Sequence, residues 1–388
     1  MKKRIGILTG GGDVPPLNAV INSVVEQAKI KNIEITGFLN GWQGVLDGKF
    51  VNLMNSNLNP LIGGTVLRSS RVNLSMIENA KNKVEDILSK NNIDGLIVIG
   101  GEDTLSNAFI IKNIPQVLIS KTIDNDVGIF NNGNIVNYFT LGYPTAAEKI
   151  SSFVSLSEGL RTTAYSHERI IIVESMGMHA GWLALSSSSG YPDFIIIPEF
   201  PLDYDLLIEK TADKYKEQRN IIIVIAEGAR WKNGTHISAS ESDKDSFGHP
   251  KFKGAAEILA QKLKDDLKKD FDTRNVNTVN PSYLYRSGKP NILDTMGAEM
   301  LGCQAVNLFK ENIAEPVFLV LQSSSSKFRP EEYFLKNLHN IEDFHRFVPQ
   351  WLYNNDEFNI TATGKKYLSK ILRELPPHEY GYIESRQE

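Results

Sequence analysis

Two carboxylates and one ammonium group stand close together in the segment Ser120–Asp126. Asp124 and Asp126 are one residue apart, and Lys121 precedes them. A carboxylate base, a carboxylate able to hold a metal and a nearby cation suit phosphoryl transfer, because in that reaction the protein mainly positions groups and neutralises charge. The alternative is a polar turn without chemistry, since Asp and Asn are common turn residues.

Apolar runs come before this segment and before two glycine-rich loops. Residues 117–119 predict a buried strand that opens into the acidic segment, and residues 95–99 predict a strand that leads into the loop 100–104. The loop 10–13 follows a third predicted strand. Ligands of open α/β sheets bind outside the carboxyl ends of the strands. We therefore expect the three loops to converge on one edge of a sheet.

The glycine loops do not match the common nucleotide-binding patterns. After Gly10-Gly11-Gly12-Asp13, the dinucleotide pattern requires a glycine where Pro15 stands, and no P-loop pattern occurs in the chain. Backbone amides of a glycine loop still fit a phosphate group, although a tight turn without a ligand is the alternative. In the second loop, Glu102 and Asp103 suit either Mg²⁺ or simple compensation of a helix dipole.

The alternation of predicted strands and helices favours the α/β fold class. A length of 388 residues exceeds one typical core and suggests two similar lobes, each with a parallel-rich sheet covered by helices. The segments 41–51 and 227–250 are predicted to be loops. Helices are predicted over 16–29, 73–91, 141–159, 204–218, 253–269 and 291–310.

Charge and cysteine content exclude several classes of protein. The formal net charge of −4 argues against a nucleic-acid groove and against a polybasic membrane surface. The single cysteine, Cys303, cannot form an intrachain disulfide and lies in a helical pattern typical of a packed thiol. With no signal peptide or membrane-spanning run, a reducing cytoplasm is expected.

Seven motifs, in this order, resemble the 6-phosphofructokinase family over roughly residues 2–322. The motifs are Gly11-Gly12-Asp13-x-Pro15-x-Leu17-Asn18, Gly63-Gly64-Thr65-x-Leu67-x-Ser69-x-Arg71, Gly100-Gly101-Glu102-Asp103-Thr104, Lys121-Thr122-Ile123-Asp124-Asn125-Asp126, Ser166-His167-x-Arg169, Met176-Gly177-x-His179-Ala180-Gly181-Trp182 and Glu227-Gly228-Ala229. Each motif is weak alone, and their common order makes the resemblance specific.

The resemblance implies a role for each matching residue. Asp124 is expected to take the proton from the 1-hydroxyl of the sugar, with Lys121, Asp126 and Asp103 beside it. The metal is expected to be Mg²⁺, held by Glu102, which stands where the family usually has aspartate, and by Asp126. Expected contacts to the donor phosphate come from Gly11, Gly12, Arg71, Gly101 and Thr104. The expected fructose 6-phosphate pocket comprises Thr122, Ile123, Asp124, Arg169, Met176, Gly177, Met178, Glu227, Tyr283 and Arg286.

The resemblance also implies an assembly and a division into lobes. The family's arginine at the position of Arg169 comes from a neighbouring subunit, which implies a homodimer or homotetramer. Residues 1–140, with part of the C-terminal region, are expected to form the donor lobe, and residues 141–325 the sugar-phosphate lobe. Residues 326–388 are expected to pack back on the lobes as helices.

Two residues favour pyrophosphate as the phosphoryl donor. Relatives that use ATP resemble Gly-Gly-Asp-Gly-Ser at the second loop, where a glycine leaves room for the nucleotide, and here that position is Asp103. Its carboxylate would fill the space and repel a phosphate. Lys121 resembles the pyrophosphate users, although some ATP users also have lysine there. An ammonium group at this position neutralises pyrophosphate and the leaving phosphate.

Three departures from the family pattern keep another function open. Met178 stands where the family has an arginine thought to meet the transferring phosphate, and Pro16 stands where it usually has glycine. The segment 281–287 stands where simple relatives have a Gly-His-x-x-Arg or Gly-Tyr-x-x-Arg segment, although Tyr283 and Arg286 keep the spacing. These departures support a weakly active or inactive regulatory subunit that binds sugar phosphate. An ATP-dependent 6-phosphofructokinase is the other alternative to a pyrophosphate-dependent enzyme, because some ATP users share the lysine.

Overall fold

The structure is a computed structural model that describes residues 2–111, 113–131, 134–238, 254–268, 275–324, 327–334 and 344–375. Its strands are Arg4–Thr9 (β1), Glu34–Phe38 (β2), Phe50–Asn52 (β3), Gly95–Gly100 (β4), Gln116–Thr122 (β5), Phe130–Asn131 (β6), Asn134–Ile135 (β7), Leu141–Gly142 (β8), Ile170–Ser175 (β9), Phe194–Ile196 (β10), Ile221–Ala226 (β11), Val276–Val279 (β12), Val317–Ser324 (β13), Lys327–Phe334 (β14), Tyr353–Asn354 (β15) and Asn359–Ile360 (β16). Its helices are Leu17–Lys31 (α1), Gly41–Leu46 (α2), Ala80–Lys90 (α3), Glu102–Ala108 (α4), Tyr143–Val154 (α5), Arg161–Ser166 (α6), Trp182–Ser186 (α7), Tyr204–Gln218 (α8), Ala255–Leu267 (α9), Ile292–Lys310 (α10) and Ala362–Leu368 (α11).

The described residues form two compact units. The first contains the described residues of 2–146 and 282–347, and the second those of 147–238, 254–281 and 348–375. The described residues of 282–325, a range that the sequence prediction assigned to the second lobe, thus cluster with the first unit. The assignment of the donor and the sugar phosphate to separate lobes stays a prediction.

The first unit is built on a sheet whose strands follow the order β14-β13-β5-β4-β1-β2-β3, with β8 beside β5. Every pairing is parallel except those of β3 with β2 and of β14 with β13. Every residue of β4 and β5 is buried, as expected of central strands covered on both faces. Because β1, β4 and β5 are parallel neighbours, their carboxyl ends meet at one sheet edge.

The second unit is built on a smaller sheet in the order β10-β11-β9-β12, in which all pairings are parallel. Nine of the twelve residues of β9 and β11 are isoleucine or valine, and all their residues are buried. The amphipathic helix α9 buries its leucines and alanines in this core together with Phe358. The α/β fold class predicted from the sequence is confirmed.

Several element predictions need correction. The strand before the acidic segment does not end at residue 119 but continues through Thr122, so Lys121 and Thr122 belong to β5. The segment 41–51, predicted to be a loop, contains α2 and the start of β3. The helix predicted over 141–159 ends at Val154. Sequence reasoning also missed β12 and β14 and predicted only helices after residue 326.

The helix predicted over 204–218 is confirmed as α8 with the same bounds. Asp203 caps this helix by accepting a hydrogen bond from the Leu206 N–H. The loop predicted over 227–250 lies outside the described residues after residue 238. Within the described part of the chain, no helix is long and apolar enough to cross a bilayer.

Candidate active site

The first glycine loop packs directly against the start of α4 and the end of β5. Gly11 has a φ of +77°, which glycine adopts without strain. A β-carbon built on Gly11 would lie 3.2 Å from Nζ of Lys121, 3.6 Å from Oγ1 of Thr104 and 3.9 Å from the backbone N of Gly101. The structure thus brings four predicted site residues together at the carboxyl edge of the first sheet, namely Gly11, Gly101, Thr104 and Lys121.

Hydrogen bonds hold the loop 65–71 against the first glycine loop and the end of β1. The Thr9 hydroxyl at the end of β1 lies 2.9 Å from the Thr65 hydroxyl and donates to the carbonyl oxygen of Arg68. The Ser69 hydroxyl donates to the carbonyl oxygen of Gly11. Arg71, the predicted donor contact of this loop, is an exposed side chain two residues further on.

Lys121 is buried at the end of β5, and its ammonium group donates a hydrogen bond to the carbonyl oxygen of Gly12. Burial lowers the pKa of Lys121 to about 7, and the positive charge of Arg286 adds to this lowering. The negative charges of Asp13, Asp124 and Asp126 oppose it. A phosphate anion bound here would act in the same direction as these carboxylates and favour the charged ammonium.

The acidic loop that follows β5 places two carboxylates close enough to repel each other. The N–H of Asp124 donates to the Thr122 hydroxyl at 3.1 Å. Burial, followed by the charge of Asp124, raises the pKa of Asp126 to about 7, while a hydrogen bond from Thr122 opposes this shift. The Ile123 side chain, a predicted substrate contact, is fully buried in the core.

The donor set near Asp126 fits a divalent cation whose remaining ligands are phosphate oxygens. One carboxylate oxygen of Asp126 is buried without a hydrogen-bond partner among the described residues, and the charge of Glu102 also acts on Asp126. Mg²⁺ in phosphate-binding sites uses one or two carboxylates plus substrate oxygens. Among the described residues, no group of three or more His, Cys, Asp or Glu side chains could hold a metal ion.

Asp103 lies in the first turn of α4, next to Glu102, where acidic residues favour the helix dipole. Its side chain is half-buried, and its carbonyl oxygen accepts from the Ser106 hydroxyl. A hydrogen bond from α2 holds this helix, because the Trp42 indole N–H donates to the carbonyl oxygen of Thr104 at 3.0 Å. The position of Asp103 is thus fixed by a rigid helix beside the glycine loop.

Arg286 and Tyr283, predicted to bind the sugar phosphate, belong to the first unit. A β-carbon on Gly12 would lie 2.7 Å from Nη1 of Arg286, so the guanidinium group covers the glycine loop near Lys121. Tyr283 is 75% exposed. Arg286 and Lys121 thus both lie at the first glycine loop, whereas the sequence prediction assigned Arg286 to the sugar-phosphate pocket.

In the second unit, Met176, Gly177, Met178 and Glu227 come together after the neighbouring strands β9 and β11. The Gly177 N–H donates to a carboxylate oxygen of Glu227 at 3.3 Å, and the N–H of Gly228 donates to the carbonyl oxygen of Gly177 at 3.2 Å. Met178 is half-buried. These four predicted residues are thus brought together, and their role in sugar binding stays a prediction.

Arg169 does not join this group. It precedes β9, whereas Met176 follows that strand, and a six-residue strand separates its two ends by about 20 Å. Its guanidinium group donates to the Thr163 hydroxyl in the adjacent helix α6. Arg169 therefore lies at the opposite edge of the second sheet from the other predicted sugar contacts of this unit.

Sequence reasoning missed the segment 344–347, which packs on the acidic loop. The Arg346 backbone N–H donates to the carbonyl oxygen of Asp126 at 2.7 Å, and its guanidinium group donates to Oδ1 of Asn125 at 3.2 Å. Nε2 of His345 lies 3.0 Å from Oε1 of Glu102. Residues 335–343 before this segment lie outside the described residues, and the sequence Phe-His-Arg-Phe matches no motif that would have indicated such contacts.

Comparison with known proteins points to one family. Residues 4–309 match the family described as Phosphofructokinase. The pyrophosphate–fructose 6-phosphate 1-phosphotransferase of Dictyoglomus thermophilum is 38% identical over 316 residues, which cover 80% of this chain and 87% of that protein. An ATP-dependent 6-phosphofructokinase 3 of Streptomyces coelicolor is 36% identical over 310 residues, which cover 78% of this chain and 86% of that protein. Relatives named for the two donors are thus about equally similar.

A solved structure agrees with the fold. The pyrophosphate-dependent phosphofructokinase of Marinobacter aquaeolei superposes with a TM-score of 0.78 at 19% identity, covering 97% of this chain and 94% of the other. At this identity the likeness supports the fold alone.

Proposed function

Because the chain belongs to the phosphofructokinase family, we propose that it transfers a phosphoryl group reversibly from pyrophosphate to the 1-hydroxyl of fructose 6-phosphate. The product would be fructose 1,6-bisphosphate, an intermediate of glycolysis. The observation that carries the proposal is the buried ammonium group of Lys121, which lies against Gly11 and Gly12 within the fields of Asp124 and Asp126.

In the proposed reaction, Asp124 accepts the proton of the sugar 1-hydroxyl. The oxygen forms a bond to the terminal phosphorus of pyrophosphate, and the bond from that phosphorus to the bridging oxygen breaks. The electron pair of the broken bond leaves with inorganic phosphate, whose charge Lys121 neutralises. Mg²⁺, held by Asp126 and Glu102, would supply further neutralisation of phosphate charge.

Asp103 supports pyrophosphate over a nucleotide. A larger donor would have to carry its next phosphate past the start of α4, where Asp103 stands in the first turn. Repulsion between close like charges is roughly 3 kcal/mol at an effective dielectric near 20, which corresponds to about 100-fold in kcat/KM. The 36% identity to a relative named for ATP is the reason to measure both donors.

The deciding experiment is a two-donor assay of the purified chain with fructose 6-phosphate and Mg²⁺. We expect turnover with pyrophosphate and at least about 100-fold lower kcat/KM with ATP. The ATP samples are pretreated with inorganic pyrophosphatase, which is then removed. Turnover with ATP and none with pyrophosphate contradicts the proposal. Binding of fructose 6-phosphate without turnover of either donor identifies a regulatory subunit instead.

Two variants of Asp103 separate size from charge. Asp103→Gly removes both and is expected to admit ATP while pyrophosphate activity is lost. Asp103→Asn keeps the size but removes the charge, so a gain of ATP use in this variant assigns the discrimination to repulsion. If neither variant binds ATP measurably, Asp103 does not determine the donor.

We also propose that the enzyme acts as a homo-oligomer whose sugar-phosphate site takes Arg169 from a second copy. The proposal is supported by the position of Arg169 at the opposite edge of the sheet from Met176 and Glu227. Mixing inactive Arg169→Ala and Asp124→Asn subunits should restore part of the activity, because some sites then combine an intact Asp124 with an intact Arg169. Mixed oligomers without any recovered activity contradict this arrangement.

A further inference from the structure

A buried arginine outside the family motifs holds the backbone of the acidic loop. Arg346 has no exposed surface, and three of its donors reach the loop or its support. Its backbone N–H bonds the carbonyl oxygen of Asp126, while its two Nη atoms bond Oδ1 of Asn125 at 3.2 Å and the carbonyl oxygen of Tyr138 at 3.0 Å. The Arg346 side chain thus binds Asn125, which lies between Asp124 and Asp126 in the chain.

Arg346 and Thr140 together fix the side chain of Asn125. Asn125 has a φ of 55°, in the left-handed region that asparagine adopts more readily than most residues other than glycine. Its Oδ1 accepts hydrogen bonds from the Thr140 N–H at 2.9 Å and from Arg346. This turn sets the directions in which the side chains of Asp124 and Asp126 leave the backbone.

The segment that carries Arg346 is itself fixed. The Phe344 ring packs in the core of the first unit, with its centroid 4.5 Å from that of Phe318. The Gly128 N–H donates to the carbonyl oxygen of Phe344 at 2.7 Å, and Val127 forms an antiparallel bridge with His345. Arg346 therefore reaches the acidic loop from a rigid support rather than from a free tail.

We propose that Arg346 is a positioning residue of the active site, which holds Asp124 at the sugar hydroxyl and Asp126 at the metal. The inference rests on the proposed function for its catalytic part. It assigns a function to the chain beyond the region matched by the family, which ends at residue 309. Arg346 touches neither substrate in this scheme, since it acts through Asn125 and the Asp126 carbonyl.

Removal of the guanidinium group should lower kcat more than it raises KM. A displacement of a reacting group by about 1 Å costs roughly 100-fold in rate. We expect Arg346→Ala to lose about that factor in kcat, while KM for fructose 6-phosphate changes less than about threefold. Arg346→Lys, which keeps the charge but not the forked geometry, should fall between this variant and the wild type.

Chemical rescue separates positioning from general stability. Arg346→Ala leaves a guanidinium-sized cavity at Asn125, so low millimolar guanidinium chloride should raise its kcat. The matched control is Arg161→Ala in the second unit, which also removes a buried arginine, paired there with Asp193 at 2.7 Å. The control should lose thermal stability similarly but keep its kcat when folded, and guanidinium should not raise its activity.

Metal affinity provides a readout independent of turnover. Titration calorimetry with Mn²⁺ on the substrate-free protein should show about tenfold weaker binding in Arg346→Ala than in the wild type, because Asp126 is no longer oriented. Arg161→Ala should bind Mn²⁺ with the affinity of the wild type. If the wild type turns over neither donor, the proposed function fails, and the Mn²⁺ titration alone decides the positioning role.

Three results would overturn the proposal. The first is a folded Arg346→Ala with wild-type kcat and Mn²⁺ affinity. The second is an equal loss of kcat in Arg161→Ala. The third is a loss in Arg346→Ala that guanidinium does not restore and that leaves Mn²⁺ affinity unchanged. Should Arg346→Ala fail to fold, Arg346→Lys is subjected to the same kinetic and Mn²⁺ measurements, and wild-type values for both would equally overturn it.

Discussion

Two loops that follow buried parallel strands are anchored by side chains of opposite charge. The acidic loop after β5 is held by the guanidinium group of Arg346. The loop after β9 is held by Glu199, whose carboxylate accepts hydrogen bonds from the Gly181 N–H at 3.0 Å and from the Val348 N–H at 2.8 Å. In both units, a side chain outside the motif fixes the backbone of that motif.

The two anchors differ in how they depend on pH. An arginine stays protonated in proteins, so its hold on a loop with two carboxylates is constant. Burial raises the pKa of Glu199 to about 7, and the hydrogen bonds from the Gly181 and Val348 amides oppose this shift. The anchor of the acidic loop therefore keeps its charge across the pH range, whereas the loop after β9 is anchored by an acid whose neutral form is favoured by burial.

Asp124→Asn is expected to show the largest effect and tests the chemical half of this comparison. Loss of the proton acceptor should lower kcat by about 10³-fold, or about 4 kcal/mol, near the middle of the range for general base catalysis. Thermal stability should stay equal or rise, because a carboxylate that repels Asp126 is removed. Steady-state kinetics and thermal unfolding measure the two quantities.

The control for that prediction is Asp86→Asn on the exposed face of α3. It removes the same charge far from the loop and should leave kcat and stability unchanged. An Asp124→Asn enzyme with more than a tenth of the wild-type kcat would mean that another group takes the proton.

Lys121→Met is expected to have the next largest effect. Removing a single charged donor to a transition-state anion costs about 10²-fold to 10³-fold, or roughly 3 kcal/mol. Because burial already lowers the pKa of Lys121 to about 7, the apolar replacement should not destabilise the fold. Pyrophosphate kinetics at neutral pH and thermal unfolding test both parts. A variant that loses stability but keeps kcat/KM would make Lys121 a structural residue.

The sequence was sufficient for most of the buried parallel strands and for the loops that follow them. Fully apolar runs such as β4 and β11 indicate buried parallel strands directly, and the helix predicted over 204–218 has the bounds of α8. The prediction ended β5 too early because Ser120, Lys121 and Thr122 are polar, and their burial depends on tertiary contacts with the glycine loop. Local sequence carries no sign of those contacts.

The same reason explains why the anchors were missed. Arg346 lies 221 residues from Asn125 along the chain, and β14 contains Pro330 and two glutamates that obscure its pairing with β13. Glu199 follows a strand in a segment without any motif. The family resemblance finds residues that contact substrates, whereas the residues that hold those loops depend on long-range packing.

Glu199→Gln is expected to have the smallest effect and tests the pH dependence of the second anchor. Because the pKa of Glu199 is raised in the folded protein, its contribution to the free energy of unfolding is complete below about pH 4.5. That contribution is lost as the pH rises towards 7. Glutamine keeps an oxygen that accepts from the Gly181 and Val348 amides but cannot ionise. The variant should therefore be more stable than the wild type by about 2 kcal/mol near pH 8, with a much smaller difference near pH 5.

Thermal unfolding of both proteins across this pH range checks the prediction, with Glu217→Gln on the exposed face of α8 as the control. The control should follow the wild type at every pH, because it changes an exposed side chain on a different element from the one that holds Glu199. A difference between Glu199→Gln and the wild type that stays constant with pH would mean that Glu199 remains ionised throughout. The two loops would then both be anchored by charged groups, and the contrast between them would reduce to the sign of the charge.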